Sequence, residues 1–327
     1  GILYCWSPVS MDKASFTFTI AKHPFFVFDD VSHVTLRGLI IDGGRAEAVI
    51  QVAGGRKVSI DACTIKNVSG KAVDVKGGTE HRVTNCHIYN TGTGAVYMEG
   101  GDRRSLSPAG HLVENNHIHT YSRIKKSYAY AIFMTGVGHT ARHNKLHDGE
   151  HAVLHWKGVD HVIEYNEVFD VVRTGTDMGA LMTGRDITCL GIKIRYNYIH
   201  HIINNNLGHG AQAIFLDDGT SGHHVYGNVF YRGGSNAAVK LHGGVRNIIE
   251  NNIFIGNPPG AALNILTWGK NFPKGVGNNF TQQNHLREVN HGKDPKWRRR
   301  WPWLASVTKV QTSTNTNKFN RNLMVNV

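Results

Sequence analysis

The sequence predicts an all-β fold, a right-handed parallel β-helix built as a solenoid of about nine or ten stacked coils. Three observations predict it: a recurring column of Asn residues, a second column of short β-rich runs, and an excess of glycine. The chain has 37 Gly but only 8 Pro among 327 residues, which indicates many tight turns and few rigid ones. Repeats with a period of roughly 20–50 residues are typical of solenoids.

The first column consists of an Asn followed by an apolar pair. Cys63 and Cys86 hold the same slot in the earlier coils, and successive positions are separated by 23, 30, 28, 22, 31, 31 and 24 residues. Such variable spacing excludes repeats of rigid length and is expected where turns accept insertions. Asn tolerates left-handed backbone angles and can hydrogen-bond its own stacked copies, so we interpret the column as structural. Its members are Asn116, Asn144, Asn166, Asn197, Asn228, Asn252 and, in the last segment, Asn322.

The second column consists of short runs that begin with Ala or Gly. Side chains on a strand alternate between faces, so the second and fourth residues of each run should face the core and the third and fifth should face outward. This register predicts that Trp156, Thr183, Asp217 and His242 face outward, whereas His155 faces inward as a core histidine. The runs are Ala95–Glu99, Ala131–Thr135, Ala152–Trp156, Gly179–Thr183, Ala213–Asp217, Ala238–His242 and Ala262–Leu266.

The charge balance favours an anionic partner. The formal net charge is +12 and the isoelectric point is near 9.6, as expected for a protein that binds acidic polysaccharide or nucleic acid. The basic run Trp297–Trp301 lacks a helical or sheet platform, so nucleic acid is the less favoured partner. We predict that residues 267–316 form a long insertion before the last coil and that its Trp residues pack across the coils.

The remaining composition limits the class of protein. Four cysteines, Cys5, Cys63, Cys86 and Cys189, show no zinc spacing and no disulfide pattern. No run of about 18 apolar residues is present, so no membrane span is expected. Residues 1–327 are expected to form one β-helix domain, a monomer, and, since the chain begins with Gly1 rather than Met, a fragment of a longer protein. A secreted or periplasmic location follows from the fold type.

Carboxylates gather in two consecutive coils and predict the catalytic site. Asp186 and Asp217 follow equivalent strands, with Asp218 next in the chain, so they should emerge at one edge of one sheet. Two neighbouring carboxylates have their pKa values driven apart, which provides an acid and a base. That is the minimum requirement for glycoside hydrolysis. Asp177 and Arg185 are predicted to support this pair.

Other outward residues predict substrate contacts and leave alternatives open. Lys240 and His242 could bind an anionic sugar or act as the base of a polysaccharide lyase or epimerase on uronates. Trp156 and Phe133 could stack on sugar rings, in an enzyme or in a non-catalytic glycan-binding β-helix. Stacked histidines after the Asn column could bind metal, but we interpret them as a surface ladder and predict no metal site. They are His119, His147 and His200.

Several segments resemble a known group of proteins. They are Gly100-Gly101-Asp102-Arg103, Ala109-Gly110-His111, Glu114-Asn115-Asn116-His117-Ile118-His119, Thr183-Gly184-Arg185-Asp186 and Leu216-Asp217-Asp218. From about Val31 to Ile265, and over Asn320–Asn326, the chain resembles bacterial right-handed β-helix proteins related to pectate-lyase-like carbohydrate-active enzymes.

Within that superfamily the chain is similar to glycoside hydrolase family 141, whose members act on fucosides or xylan with two aspartates. The resemblance implies that those two are Asp186 and either Asp217 or Asp218. Lyases that share the fold use calcium ligands and a Lys or Arg base. The sequence shows no convincing acidic calcium cluster, so no cofactor is expected.

Overall fold

The structure is a computed structural model. Its described residues are 18–202, 210–257, 262–266, 280–290, 293–306 and 316–327, with residues 2, 4, 6, 10–13 and 16 near the start. Cys5 lies outside these ranges, as do residues 267–279, 291–292 and 307–315 of the predicted insertion. Within the described ranges the chain forms three sheets of ten parallel strands each, one strand per sheet in each coil. This confirms the predicted all-β parallel β-helix of about ten coils.

The first sheet carries the longest strands and the outward face that the sequence singles out. Parallel strands of this kind are connected by right-handed crossovers in nearly all proteins. The strands of this sheet are β1 (Phe26–Asp29), β4 (Ala48–Ala53), β7 (Lys71–Lys76), β10 (Val96–Gly100), β13 (Ile132–Val137), β16 (Leu154–Val159), β19 (Met178–Gly184), β22 (Ala211–Asp217), β25 (Ala237–His242) and β28 (Leu263–Leu266).

The second and third sheets have strands of three residues, and each presents one buried central residue between two outward ones over most of its length. The second sheet contains β2 (Thr35–Arg37), β5 (Ser59–Asp61), β8 (Arg82–Thr84), β11 (Leu112–Glu114), β14 (Thr140–Arg142), β17 (Val162–Glu164), β20 (Lys193–Arg195), β23 (His224–Tyr226), β26 (Ile248–Glu250) and β29 (Lys318–Asn320). The third sheet contains β3 (Ile40–Asp42), β6 (Thr64–Lys66), β9 (His87–Tyr89), β12 (His117–His119), β15 (Lys145–His147), β18 (Glu167–Phe169), β21 (Tyr198–His200), β24 (Val229–Tyr231), β27 (Ile253–Ile255) and β30 (Leu323–Val325).

The predicted Asn ladder is present between the second and third sheets. The Asn166 side chain accepts the backbone N–H of Asn144 at 3.0 Å and donates to the Asn197 side chain at 2.9 Å. The left-handed residue is the one before each Asn, such as Tyr165 with φ of 55°, so the Asn serves the turn through its side chain rather than its backbone angles. Cys86 continues this ladder, because its N–H donates to the side chain of the Asn in the next coil at 2.9 Å.

The three described thiols are buried, and Cys63 and Cys86 fill the slot that Asn takes in later coils. Cys63, Cys86 and Cys189 are buried and free. Burial raises the pKa of Cys86 to about 12, so its thiol stays protonated at neutral pH.

A second ladder, of histidines, lies just before the second sheet. The backbone N–H of His111 donates to His139 Nδ1 at 3.3 Å, and that of His139 donates to His161 Nδ1 at 3.1 Å. Each imidazole also bonds a backbone carbonyl through Nε2, as His139 does with Thr135 at 2.9 Å. In a later coil Asn247 takes the same slot and accepts the N–H of His223 at 3.0 Å. An amide and a neutral imidazole therefore accept the same backbone hydrogen bond in this ladder.

The register of the first sheet differs from the predicted one in two coils. Met134 pairs with Trp156 and Leu216 pairs with Thr183, so the runs in these coils begin one residue later than predicted, at Val153 and Ala180. A shift of one residue exchanges the faces of a strand. The expectation that Trp156 and Thr183 face outward is therefore wrong, and so is the inward placement of His155. His155 shares the outward face with Phe133, yet it is buried under the ring of Tyr130, 4.6 Å away.

Two helices cover one side of the coils, where the sequence predicts only a long insertion. They are α1 (Phe280–Glu288) and α2 (Pro295–Arg300), followed by a 3-10 helix, Pro302–Ser306. Trp297 is fully buried in a second apolar cluster with Val159, Ile187 and Leu190 of the coils, as expected for a Trp that packs across them. No helix among the described residues is long and apolar enough to cross a membrane.

Candidate functional site

The outward face of the first sheet places four charged side chains together, which we call the Asp–His cluster: Arg185, Asp217, Asp218 and His242. His242 Nδ1 lies 2.9 Å from Asp217 Oδ1 and 3.2 Å from Asp218 Oδ1. Arg185 Nε donates to Asp218 Oδ2 at 2.8 Å. Strands β22 and β25 are adjacent and parallel, and this adjacency brings the carboxylates and the imidazole into contact.

Charge in the cluster is set by these hydrogen bonds. The bond to Asp217, and then the bond to Asp218, raise the pKa of His242 to about 9, so the imidazole is a cation at neutral pH. The bond to His242 also lowers the pKa of Asp218, which therefore remains ionised well into the acid range. The cluster thus holds two carboxylates around one imidazolium, next to a guanidinium.

The cluster is partly open to solvent. Asp217, Asp218 and His242 are each partly exposed, and the Arg185 side chain is 76% exposed. Gly184 pairs with Asp217 in the neighbouring coil, and a Cβ at this position would lie 3.0 Å from Asp217 Cβ. A side chain there would crowd the carboxylate, so this glycine keeps the approach clear.

Lys240 and Asp177 form a second ion pair beside the cluster. Lys240 Nζ lies 3.0 Å from Asp177 Oδ1 and 4.5 Å from the centre of the Phe215 ring. Lys240 is buried and Asp177 is half exposed. Lys240 and His242 stand two residues apart on the same face of β25, so both predicted binding residues do lie at this site. The Lys240 charge, however, is already neutralised by Asp177.

Asp186 does not join the cluster, which corrects the predicted Asp186–Asp217 pair. Its side chain is 1% exposed and accepts hydrogen bonds from Arg103 Nη2 at 3.0 Å, from Thr188 N–H at 2.8 Å and from Thr188 Oγ1 at 2.5 Å. Asp186 lies two residues beyond the end of β19, and its carboxylate is occupied by Arg103 and Thr188.

Trp156 also lies away from the predicted substrate face. It is 0% exposed, and its indole N–H donates to His223 Nε2 at 3.0 Å. Burial lowers the pKa of His223 to about 4, so the imidazole is neutral and can accept this bond. Trp156 is therefore a core residue with a satisfied polar edge, and it cannot stack on a sugar.

A cleft of about 550 Å³ opens at the same edge of the first sheet, near β10 and β13. Its lining includes Glu99, Thr135, Arg103 and Glu288, and Arg103 Nη1 lies 3.5 Å from Glu288 Oε1. Glu99 and Thr135 pair across adjacent coils, in the outward column that continues towards Asp217. With coils about 4.8 Å apart, β10 at the cleft and β22 at the Asp–His cluster lie about 19 Å apart along the first sheet.

The sequence reasoning missed several residues of this surface. Tyr128 is 72% exposed, acts electrostatically on Arg185, and packs at an interplanar angle of 45° against His151, with ring centres 5.6 Å apart. Arg103 and Glu288 meet although they are far apart in sequence, which no local pattern could show. The signal for Tyr128 was present, since the aromatic pair Tyr128 and Tyr130 occurs in a long insertion between the third and first sheets.

The Asp–His cluster is also a set of possible cation ligands. One ligand atom each from Asp217, Asp218 and His242 lies within 4.8 Å of the others. A protonated imidazole cannot bind a metal ion, so binding here would require His242 to release its proton. With the hydrogen bonds described above, the His242 imidazolium itself lies where a bound cation would lie.

Comparison with known proteins adds a family. A family model described as the right handed beta helix region matches residues 25–123 and 130–284, which is well over half of the chain. Comparisons with curated proteins and with solved structures each found no match. The matched residues include both strands that carry the Asp–His cluster. The parallel sheets and the family match agree, and the chain belongs to the right-handed β-helix family.

Proposed function

We propose that the protein is a carbohydrate-active β-helix that hydrolyses glycosidic bonds at the Asp–His cluster. The observation that carries the proposal is the pair of partly exposed carboxylates, Asp217 and Asp218, that share one imidazolium, His242. Glycoside hydrolysis uses a proton donor and an ionised carboxylate that acts as base or nucleophile. The sequence resemblance to glycoside hydrolase family 141 agrees with this proposal, with Asp217 and Asp218 rather than Asp186 as its aspartates.

The cluster offers a division of roles. Asp218, bonded to His242 and Arg185 and with a lowered pKa, is suited to act as the ionised base or nucleophile. Asp217 is the second carboxyl group, and His242 orients both. As a sugar enters and water leaves, the Asp217–His242 proton is the one that can move to a leaving oxygen. Tyr128 offers an exposed ring for stacking beside Arg185.

An anionic sugar is the substrate class that the charges favour. Arg185 is largely exposed, His242 is cationic, and the chain carries a net charge of +12. The same observation supports a second candidate, a lyase or epimerase on uronates, in which a cation neutralises the sugar carboxylate and a base removes the neighbouring proton. A secreted or periplasmic protein would meet such polymers.

Product analysis distinguishes these reactions. We expect the wild-type protein to release new reducing ends from a panel of neutral and uronate-containing polysaccharides without forming an ultraviolet-absorbing unsaturated end group. Unsaturated ends would instead identify a lyase. Binding without any product, with no change of sugar configuration, would identify a non-catalytic glycan-binding β-helix.

Variants connect the reaction to the cluster. Asp217→Asn and Asp218→Asn should each lower the rate of product release by at least about 1,000-fold, since each removes a reacting group. Asp42→Asn is the matched control, because Asp42 also forms a partly exposed ion pair, with Lys66 at 3.2 Å, but on the third sheet. Wild-type rates in both cluster variants, with the control unchanged, would overturn the proposal.

A further inference from the structure

A group of four histidines lies on the outward face of the third sheet, away from the Asp–His cluster. We call it the histidine cluster: His87 on β9, His117 and His119 on β12, and His147 on β15. These are adjacent strands of three successive coils, and the register pairs His117 with His87 and His119 with His147. The rings stack within these pairs, with centres 4.7 Å apart for the first and 5.0 Å for the second.

The Nε2 atoms of the cluster point at one another. His87 Nε2 lies 2.9 Å from His119 Nε2, and His117 Nε2 lies 2.7 Å from His147 Nε2. Ligand atoms of His87, His117 and His119 all lie within 4.8 Å of one another. In each close pair only one nitrogen can carry the hydrogen, so lone pairs converge on a common region. Such convergence is what a metal ion requires.

Two of the rings have outer partners at Nδ1, and for His147 that partner fixes which nitrogen is protonated. His147 Nδ1 lies 2.7 Å from Asp148 Oδ2, and His119 Nδ1 lies 2.9 Å from Thr120 Oγ1. A carboxylate can only accept, so His147 donates from Nδ1 and presents a lone pair at Nε2. Metal-binding histidines are usually oriented by such a carboxylate or carbonyl partner. Asp148 is itself held by Arg173.

We propose that His87, His117 and His119 bind one divalent transition-metal ion of the zinc class through their Nε2 atoms, with His147 as the fourth ligand. An all-imidazole set suits zinc, copper or nickel, whereas calcium and magnesium require oxygen ligands. Tetrahedral zinc with bonds of about 2.0–2.1 Å places its ligand atoms about 3.3 Å apart, so the close nitrogen pairs need to open by only about 0.5 Å.

Such an ion would join three successive coils. It would bind the folded chain and not the unfolded one, and it would therefore stabilise the β-helix by mass action. The site lies on the third sheet and the Asp–His cluster on the first, so this inference is independent of the proposed function. It also revises the interpretation of these histidines as a surface ladder without metal: Phe169 separates His147 from His200 in the column.

Zinc binding to the full chain tests the proposal. After treatment with a chelator, the protein is titrated with zinc chloride by calorimetry, and its melting temperature is measured with and without the ion. We expect one tight site per chain and a higher melting temperature with zinc. In the double variant His117→Gln/His119→Gln, zinc affinity should fall at least about 100-fold, and in Asp148→Asn it should fall about 10- to 100-fold.

The control is His200→Gln, since His200 faces outward on the same sheet two coils from His147 and should leave zinc affinity unchanged. Cobalt replacing zinc should give the visible spectrum of a tetrahedral site in the wild type and lose it in the double variant. Circular dichroism at 25 °C confirms that each variant is folded. Zinc affinity that is equal in the wild type and the double variant would overturn the proposal, as would an octahedral cobalt spectrum.

Discussion

At the residue scale, the two aspartates that the sequence places together have different environments. Asp186 is enclosed, and its oxygens are occupied by Arg103 and Thr188, whereas Asp217 is partly exposed and bonds His242. A buried carboxylate with its hydrogen bonds complete is a structural group. A carboxylate that shares a proton with a neighbouring imidazole and is reached by solvent can react. Accessibility, rather than residue type, separates the two.

The protonation of His242 is a prediction at this scale. We expect its imidazole to titrate near pH 9, well above the ordinary value of about 6.5. The Asp217→Asn variant should lower that pKa, because the bond to Asp217 is the largest cause of the shift. Nuclear magnetic resonance of the imidazole over pH 5–10 measures both values. A wild-type pKa near 6.5 would contradict the ion pairing described for the cluster.

The same shift fixes the sign of a pH effect on stability. Since the folded-state pKa of His242 is raised, its contribution is complete below about pH 6.5 and is lost as the pH rises through about 9. The lowered pKa of Asp218 acts in the opposite direction, so its contribution is present above about pH 3.9 and is lost as the pH falls. The partly exposed cluster is screened by solvent, so both effects should be small.

At the element scale, strand register determines which residues can form a site. The Asn column was predictable from the sequence, because an Asn recurs at the same turn once per coil. Which side chains of β16 and β19 face outward was not predictable. Ala152 is followed by Val153, and Gly179 by Ala180, so in each of these two coils either of two neighbouring residues could begin the run. The periodicity alone does not show which of the two residues begins the run. That starting point decides whether Trp156 faces outward, where it could stack on a sugar, or lies in the core.

The Asn ladder leads to a stability prediction for one element. Asn166→Ala should lower the free energy of unfolding by about 3 kcal/mol, because it leaves the buried N–H of Asn144 and the carbonyl of Ala141 without partners. Asn322→Ala, in the partly exposed last coil, should cost about 1 kcal/mol. Denaturant unfolding of both variants measures the difference. Equal effects would contradict a role that depends on burial.

The helices that cover the coils give a further prediction. Trp297 is fully buried and donates from its indole to the carbonyl of Arg103 at 2.8 Å. Trp297→Ala should destabilise the packing of α2 by about 3–5 kcal/mol, while Trp297→Phe should retain most of it. Hydrogen exchange should show faster opening of α2 and of the loop after β10 in the Ala variant, with the second sheet protected as before. Unchanged exchange in α2 would contradict this packing.

At the scale of the whole molecule, ladders of side chains run along the solenoid. They link neighbouring coils, and the histidine ladder makes the stability of the fold depend on pH. The fold class was predictable, because every coil repeats the same pattern. The contact between α1 and Arg103, which builds the cleft, was not, since it joins segments about 185 residues apart. The buried histidine ladder was also missed, although the sequence contains its signal: His111, His139 and His161 each lie five residues before a member of the Asn column and follow the same spacing.

The histidine ladder predicts acid sensitivity. Burial lowers the pKa of both His111 and His139 to about 3 and that of His161 to about 4. A lowered folded-state pKa means that stability is complete above about pH 6.5 and is lost as the pH falls, by about 1.4 kcal/mol per pH unit for each histidine. His139→Asn introduces the same amide that is found at Asn247. It should reduce the slope of stability against pH by about one proton. Melting temperatures over pH 4–7 measure it, and an identical slope in the variant would refute the assignment.

The most direct test of the central claim compares Asp217→Asn with Asp186→Asn for the rate of product release per folded molecule on a polysaccharide that the wild type cleaves. The Asp–His cluster as the reacting centre predicts that Asp217→Asn loses at least about 1,000-fold in rate with unchanged stability. Asp186→Asn should be less stable, because its buried ion pair with Arg103 is broken, yet its folded fraction should retain a measurable rate. Full activity in Asp217→Asn, together with complete loss in folded Asp186→Asn, would contradict the account.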